Sequence, residues 1–187
     1  MKNIWPPQDQ VFWYLNRGAL MPCREDIYTD VAIIGGGMAG LSAAQAFHAR
    51  GKKVVLLEQY YCGSGATGKS SGFITPNAEL SFTDFSKRYN SDVANTIWDF
   101  ITSGVNDIRT NIEKHHFSCD YTPQDTLVVA TSKRGARELE IENENLSKFG
   151  YKSAFYTADH VRNYIGSKEY YGGFGYEDTF GIKAYSY

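Results

Sequence analysis

Four residues in the first third of the chain have types and spacing that suit them to act together: Gly35, Gly37, Gly40 and Glu58. The glycines follow the pattern G-x-G-x-x-G, and the carboxylate comes 18 residues after the last of them. Gly35 permits a tight turn out of a strand. A side chain at Gly37 would hold a pyrophosphate off the backbone, and Gly40 lets a helix lie close to a sheet. Met38 and Ala39 open that helix, whose unpaired N–H groups and positive dipole end would face phosphates. Glu58, followed by Gln59, can accept hydrogen bonds from ribose hydroxyls. It would repel a ribose 2′-phosphate, which argues against NADP. The chemistry is the holding of the ADP half of a dinucleotide.

The flanking sequence supplies the elements these residues need. Val31–Ile34 is a β-branched apolar run suited to a buried parallel strand. A helix is predicted from Met38 to Arg50, with Ala43, Ala44 and Phe47 on its buried face and Gly51 as a left-handed C-cap. Val54–Leu57 is the second strand, and Glu58 ends it. The glycine pattern alone is weak evidence. Its weight comes from strand, helix, helix stop, second strand and acid falling in register.

Directly after the acid comes Cys62-Gly-Ser-Gly-Ala-Thr-Gly-Lys-Ser-Ser-Gly-Phe73, nearly all small and hydroxyl residues. Its amides and hydroxyls could bind a phosphate or a ribityl chain, with Ser64, Gly65, Ala66 and Thr67 as the candidates. A flexible linker is the plain alternative.

At 187 residues the chain can bury one sizeable core, or one and a half small ones. Hydrophobic content of 42% and charged content of 21% are ordinary for a globular protein. A net charge of −2 gives no basic footprint for nucleic acid. Cys23, Cys62 and Cys119 have neither metal-ligand nor redox-motif spacing, so no metal site is expected and free thiols in a reducing compartment are. There is no signal-peptide pattern and no apolar run of membrane-spanning length, so a cytoplasmic location is expected.

Residues 1–27, rich in Trp, Pro and Tyr, read as an arm packed on the nucleotide unit. Beyond the hydroxyl-rich loop, Ser91 is placed as the N-cap of a helix from Asp92 to His115. Its core stripe is predicted as Val93, Ile97, Ile101, Val105, Ile108 and Ile112. A strand lies within Asp125–Thr131. A charged helix follows over Ser132–Phe149, ended by Gly150, with Glu138, Glu140, Glu142 and Glu144 on a solvated face. Ser153–Tyr156 is a short strand, and Thr157 caps a helix running to Tyr164. Tyr170–Tyr176 is a strand whose glycines admit another backbone or a ligand. His48, His115, His116 and His160 are scattered, without partners at metal or triad spacing, and no catalytic residue is assigned.

These motifs resemble the FAD-dependent oxidoreductases of the D-amino-acid oxidase superfamily, and within it the gamma-glutamylputrescine oxidase-like branch. Asp30–Glu58 is similar to the family's opening FAD motif. Gly63-Ser-Gly-Ala-Thr-Gly-Lys-Ser-Ser-Gly72 resembles the loop that members run past the pyrophosphate. Some relatives end that loop Arg-Asn-Gly-Gly where this chain has Lys69-Ser70-Ser71-Gly72. Phe117–Tyr121, Leu127–Ala130 and Tyr171–Phe174 are similar to later landmarks, so the resemblance covers nearly the whole chain.

The resemblance implies an α/β fold: a Rossmann-like FAD-binding βαβ unit with part of a mixed α+β substrate region, together an incomplete domain. The corresponding stretches are the arm over 1–27, the FAD unit over 28–77 and the partial substrate region over 78–187. The implied function is oxidation of an amine or amino acid by hydride transfer to FAD. Such flavoproteins are usually much longer, and their C-terminal segment completes the flavin site. The chain is therefore expected to be the N-terminal part of a larger enzyme. It would be a truncated product, a fragment, or one piece of a split enzyme whose C-terminal half is a separate partner. The alternatives are a non-catalytic nucleotide-binding remnant and an NAD-dependent dehydrogenase, the latter disfavoured by the hydroxyl-rich loop.

Overall fold

Among the described residues the first regular element is the run Val31–Ile34 (β1), followed by helix Met38–Ala49 (α1) and strand Val54–Leu57 (β2). This is a computed structural model, and it describes Gly18 and residues 20–187. The predicted arm therefore lies largely outside the described residues. The chain divides into two units, one running to Gly72 and including Lys183–Tyr187, the other Phe73–Ile182.

In the first unit β1 and β2 pair in parallel, Val31 opposite Val54 and Ile34 opposite Leu57. The pairing is fastened where it begins. The Asp30 and Val31 amides both donate to the Lys53 carbonyl, and the Lys53 amide donates to Asp30 Oδ2 at 2.8 Å. Gly51 sits in the left-handed region at φ 73°, which turns the chain back from α1 as expected. A four-residue helix, Ala66–Lys69 (α2), completes this unit.

One expectation fails here. No residue of α1 is fully buried, and Phe47 is 41% exposed. β1 is covered on one face alone: Ile34 is 89% exposed. Two strands are too narrow a sheet to cover a helix face, and parallel strands need layers on both sides.

The second unit is antiparallel. Strands Phe73–Ile74 (β3), Thr122–Pro123 (β4), Thr126–Ala130 (β5), Ser153–Thr157 (β6), Gly172–Tyr176 (β7) and Phe180–Gly181 (β8) form two sheets, ordered β3-β8-β4 and β5-β7-β6. The helices are Phe82–Arg88 (α3), Ser91–His115 (α4), Lys133–Lys148 (α5) and Ala158–Ile165 (α6). Phe82, Ala94, Trp98, Leu146, Phe174 and Tyr176 form the core.

α4 departs from its predicted details. Its N-cap is Asn90, whose Oδ1 accepts the Val93 amide at 2.9 Å, so Ser91 is already helical. Its buried line is Ala94, Trp98, Val105 and Ile112, while Val93 is 39% exposed. Both Val and Ala fit an apolar stripe; the bulk of Trp98 decides which face turns inward. α5 also corrects the solvated acidic face. Glu138, Glu140 and Glu144 pair with Arg134 and Arg137 in solvent. Glu142 is instead buried, and accepts the Phe82 and Thr83 amides at 2.7 and 2.9 Å. It supplies acceptors for the first-turn amides of α3, which no charge pattern along α5 reveals. The glycines of β7 admit side chains: a Cβ on Gly173 would stand 2.9 Å from Val161.

Candidate functional site

The glycine turn joins β1 to α1. Gly35 has φ 101°, a conformation strained for any residue with a Cβ, and its amide donates to the Leu57 carbonyl at 2.8 Å. A Cβ on Gly40 would stand 2.0 Å from the Gly35 carbonyl oxygen and 3.4 Å from Ile33 Cγ2. Gly37 is the N-cap, in extended backbone at φ −80°, ψ 178°. A Cβ there would meet a single neighbour, Thr67 Oγ1 at 3.3 Å. The position is open, as a cradle for a ligand must be.

The head of α1 carries the donors. The amides of Gly37, Ala39 and Gly40 find no acceptor among the described residues, and the first turn holds no acidic residue. Bare amides at a helix N-terminus, with no competing carboxylate in that turn, suit an anion such as a pyrophosphate. The residues present thus fit the phosphate part of a dinucleotide. The Met38 amide differs: it donates to Thr67 Oγ1 at 3.0 Å.

Glu58 ends β2 and points back at the turn. Its Oε2 accepts the Gly36 amide at 2.7 Å; its Oε1 accepts the Tyr60 amide at 2.9 Å and faces the Ser64 hydroxyl at 3.4 Å. Burial pushes its pKa up. The amides of Tyr60, Gly36 and Gln59 and the Ser64 hydroxyl outweigh that, and hold the carboxyl below the ordinary value. The carboxylate is therefore ionised at neutral pH. It braces the turn and keeps lone-pair capacity for a further donor.

Of the candidates in the loop, Ser64 is buried and turned to Glu58. Gly65 is the N-cap of α2 and Ala66 its first residue. Thr67 faces the head of α1. Gln59 is exposed beside Glu58.

Residues absent from the sequence-based candidates hold this arrangement. Gly36 is buried, and a Cβ on it would stand 2.8 Å from Cys62 Sγ and 3.2 Å from Glu58 Oε2. Gly63 and Gly68 repeat the relation of Gly35 and Gly40. Gly63 has φ 80°, and a Cβ on Gly68 would stand 2.3 Å from the Gly63 carbonyl oxygen. The signal was present, since Gly63-Ser-Gly-Ala-Thr-Gly68 is a second G-x-G-x-x-G. The two turns are joined by the Gly63 amide donating to the Gly36 carbonyl at 2.8 Å. The Tyr185 ring lies over the second turn, 3.1 Å from a Cβ on Gly68 and edge-on to Tyr61.

No helix of the described residues is long and apolar enough to cross a membrane. Residues 30–187 match the family described as FAD dependent oxidoreductase. The probable oxidoreductase OrdL of Haemophilus influenzae is 30% identical over 153 residues, covering 81% of this chain and 36% of that one. Gamma-glutamylputrescine oxidoreductase of Escherichia coli is 32% identical over 150 residues, covering 80% and 35%. The solved structure of L-amino acid deaminase from Proteus vulgaris shares the fold, with a TM-score of 0.68 at 14% identity, covering 90% of this chain and 38% of that one. The chain spans about a third of the length of the curated relatives it matches. With the family's glycine turn, helix and acid in register and the match running from residue 30 to 187, the chain belongs to the FAD-dependent oxidoreductase family.

Proposed function

We propose that this chain is the part of an amine- or amino-acid-oxidising flavoenzyme that holds the ADP half of FAD. The observation that carries the reading is the head of α1: three amides without acceptors among the described residues, over a glycine with open space where its side chain would be. Gly35 and Gly40 shape the turn. Gly37 and Ala39 present backbone amides to the pyrophosphate, and Met38 lies between them with its amide held by Thr67. Glu58 accepts from the ribose while bracing Gly36. Gly65, Ala66 and Thr67 line the approach, and Ser64 and Gln59 act beside Glu58. The chemistry FAD would supply when bound is acceptance of a hydride from the substrate carbon next to nitrogen.

The isoalloxazine and the substrate then meet residues supplied by further polypeptide, either continuous with this chain or a separate C-terminal half. The share of its relatives that the chain spans supports this. Three free cysteines support a reducing, cytoplasmic location.

The test is reconstitution with FAD in the protein carrying its C-terminal complement, followed by anaerobic mixing with a panel of amines and amino acids. Stoichiometric flavin that bleaches with one of them is the expected result. A complemented protein that binds NAD and no flavin would overturn the reading.

A further inference from the structure

α1 has no cap of its own. The N-cap position of a helix is normally filled by Ser, Thr, Asp or Asn, whose oxygen accepts an orphan amide of the first turn. In α1 that position is Gly37, and no side chain is available there. A capping side chain at residue 37 would fill the open space above the backbone, through which a pyrophosphate must approach. The site thus has two conflicting needs at one residue: an acceptor for the helix head, and no side chain.

The Met38 amide nevertheless has an acceptor, Thr67 Oγ1, 29 residues away in sequence. We infer that Thr67 is the cap of α1, supplied by the second glycine turn, and that it positions the first turn for the cofactor through Met38. The inference rests on the reading of the α1 head as the phosphate cradle. Thr67 thereby gains a role beyond lining the approach: it takes up one amide so that the turn stays formed before the ligand arrives.

The second turn is built for this. The Gly63 amide donates to the Gly36 carbonyl, so the two turns are stitched together. Gly68 closes on the Gly63 carbonyl, where no larger residue fits. The Tyr185 ring packs across both Gly63 and Gly68. α2 is only four residues long, and its stability must come from these contacts. What α2 carries toward α1 is the Thr67 hydroxyl, which also stands 3.3 Å from the Cβ position of Gly37.

Hydrogen exchange of the flavin-free protein carrying its C-terminal complement tests the cap without any substitution. Met38, Ala39 and Gly40 share the first turn of α1 and lack intrahelical acceptors. The Met38 amide should exchange about tenfold or more slowly than those of Ala39 and Gly40. Equal exchange of all three overturns the inference. Thr67→Val keeps the shape and removes the acceptor; Thr67→Ser restores it. Thr67→Val should weaken FAD binding about tenfold and speed Met38 exchange, and Thr67→Ser should stay within about twofold on both. A Ser variant as impaired as the Val variant, or a Val variant that binds FAD like the parent, also overturns it. Failure of the parent protein with its C-terminal complement to bind FAD would instead sink the functional reading, because Met38 exchange is measured without flavin.

Discussion

The carbonyl oxygen of Gly35 lies 2.0 Å from the point where a Cβ on Gly40 would stand. That carbonyl belongs to a turn held at φ 101°. It cannot swing away without turning the Gly36 amide, which shares its peptide plane, off Glu58 Oε2. The third glycine of the motif is therefore a packing requirement, and the second, on the proposed reading, a ligand requirement. The two should separate in experiment.

Gly40→Ala forces a methyl group into a backbone atom, so the turn or the helix must shift. Overpacking of this kind costs about 1–3 kcal/mol or more. A fall in the thermal unfolding midpoint is expected with or without flavin. A variant as stable as the parent would mean that α1 can slide on β1.

Gly37→Val should behave differently. The backbone at Gly37 is in the extended region open to any residue, and the space above it is clear apart from the Thr67 hydroxyl. The fold should survive and FAD binding should be lost, read as flavin content against an unchanged circular dichroism spectrum. Parent-level flavin in this variant would move the phosphate site elsewhere.

The elements of the first unit were legible because each has a local cause. Glycine spacing sets the turn, β-branched runs set the strands, and Gly51 stops the helix. The antiparallel character of the second unit was legible only as a mixture of short strands and helices. What escaped the sequence are contacts between distant residues. Glu142 looks like its acidic neighbours until α3 brings two amides to it, 60 and 59 residues away. Val93 and Ala94 are equally plausible in an apolar stripe until Trp98 fixes the helix rotation. The second glycine turn was visible as composition but not as a copy of the first, because its helix, α2, is only four residues long and too short to show a period. The bare face of β1 was not legible either, since a β-branched run reads the same whether or not its covering layer is present.

Glu58→Gln tests the brace. Three donors, the amides of Gly36 and Tyr60 and the Ser64 hydroxyl, converge on the two carboxylate oxygens. A glutamine has one accepting oxygen, so its NH₂ group must face one of these donors. The expected cost is about 1–3 kcal/mol in the flavin-free protein, with weaker FAD binding in addition. pH gives an independent readout. The native carboxyl is held below its ordinary value of 4.5. Its contribution to stability is complete above the unfolded value and is lost as pH falls through the native one. On acidification below about that ordinary carboxylate range, the stability gap between parent and Glu58→Gln should narrow. A gap that stays constant would mean that Glu58 is an idle strand end.

A polypeptide of residues 1–187 expressed alone should be a poor flavoprotein. Its βαβ unit exposes Ile34 at 89%, Leu57 at 44% and Phe47 at 41%, on strands and a helix of a kind that is buried in finished parallel sheets. Such faces promote association unless something covers them. On the proposed reading the head of α1 receives a pyrophosphate, but a ligand site ordinarily encloses most of its ligand. The ADP half of FAD held on one wall leaves the rest of the cofactor in water. Affinity then lacks the contribution of that contact area while the cost of immobilising the ligand remains. Size-exclusion chromatography should find aggregated or associated material, with little flavin after purification. Added FAD should bind weakly and should not bleach with amines. Coexpression with the C-terminal portion of a relative is the complementary arm: it should raise both solubility and flavin content. Stoichiometric yellow protein from residues 1–187 alone, bleached by an amine, would show that the single wall suffices and would overturn this prediction.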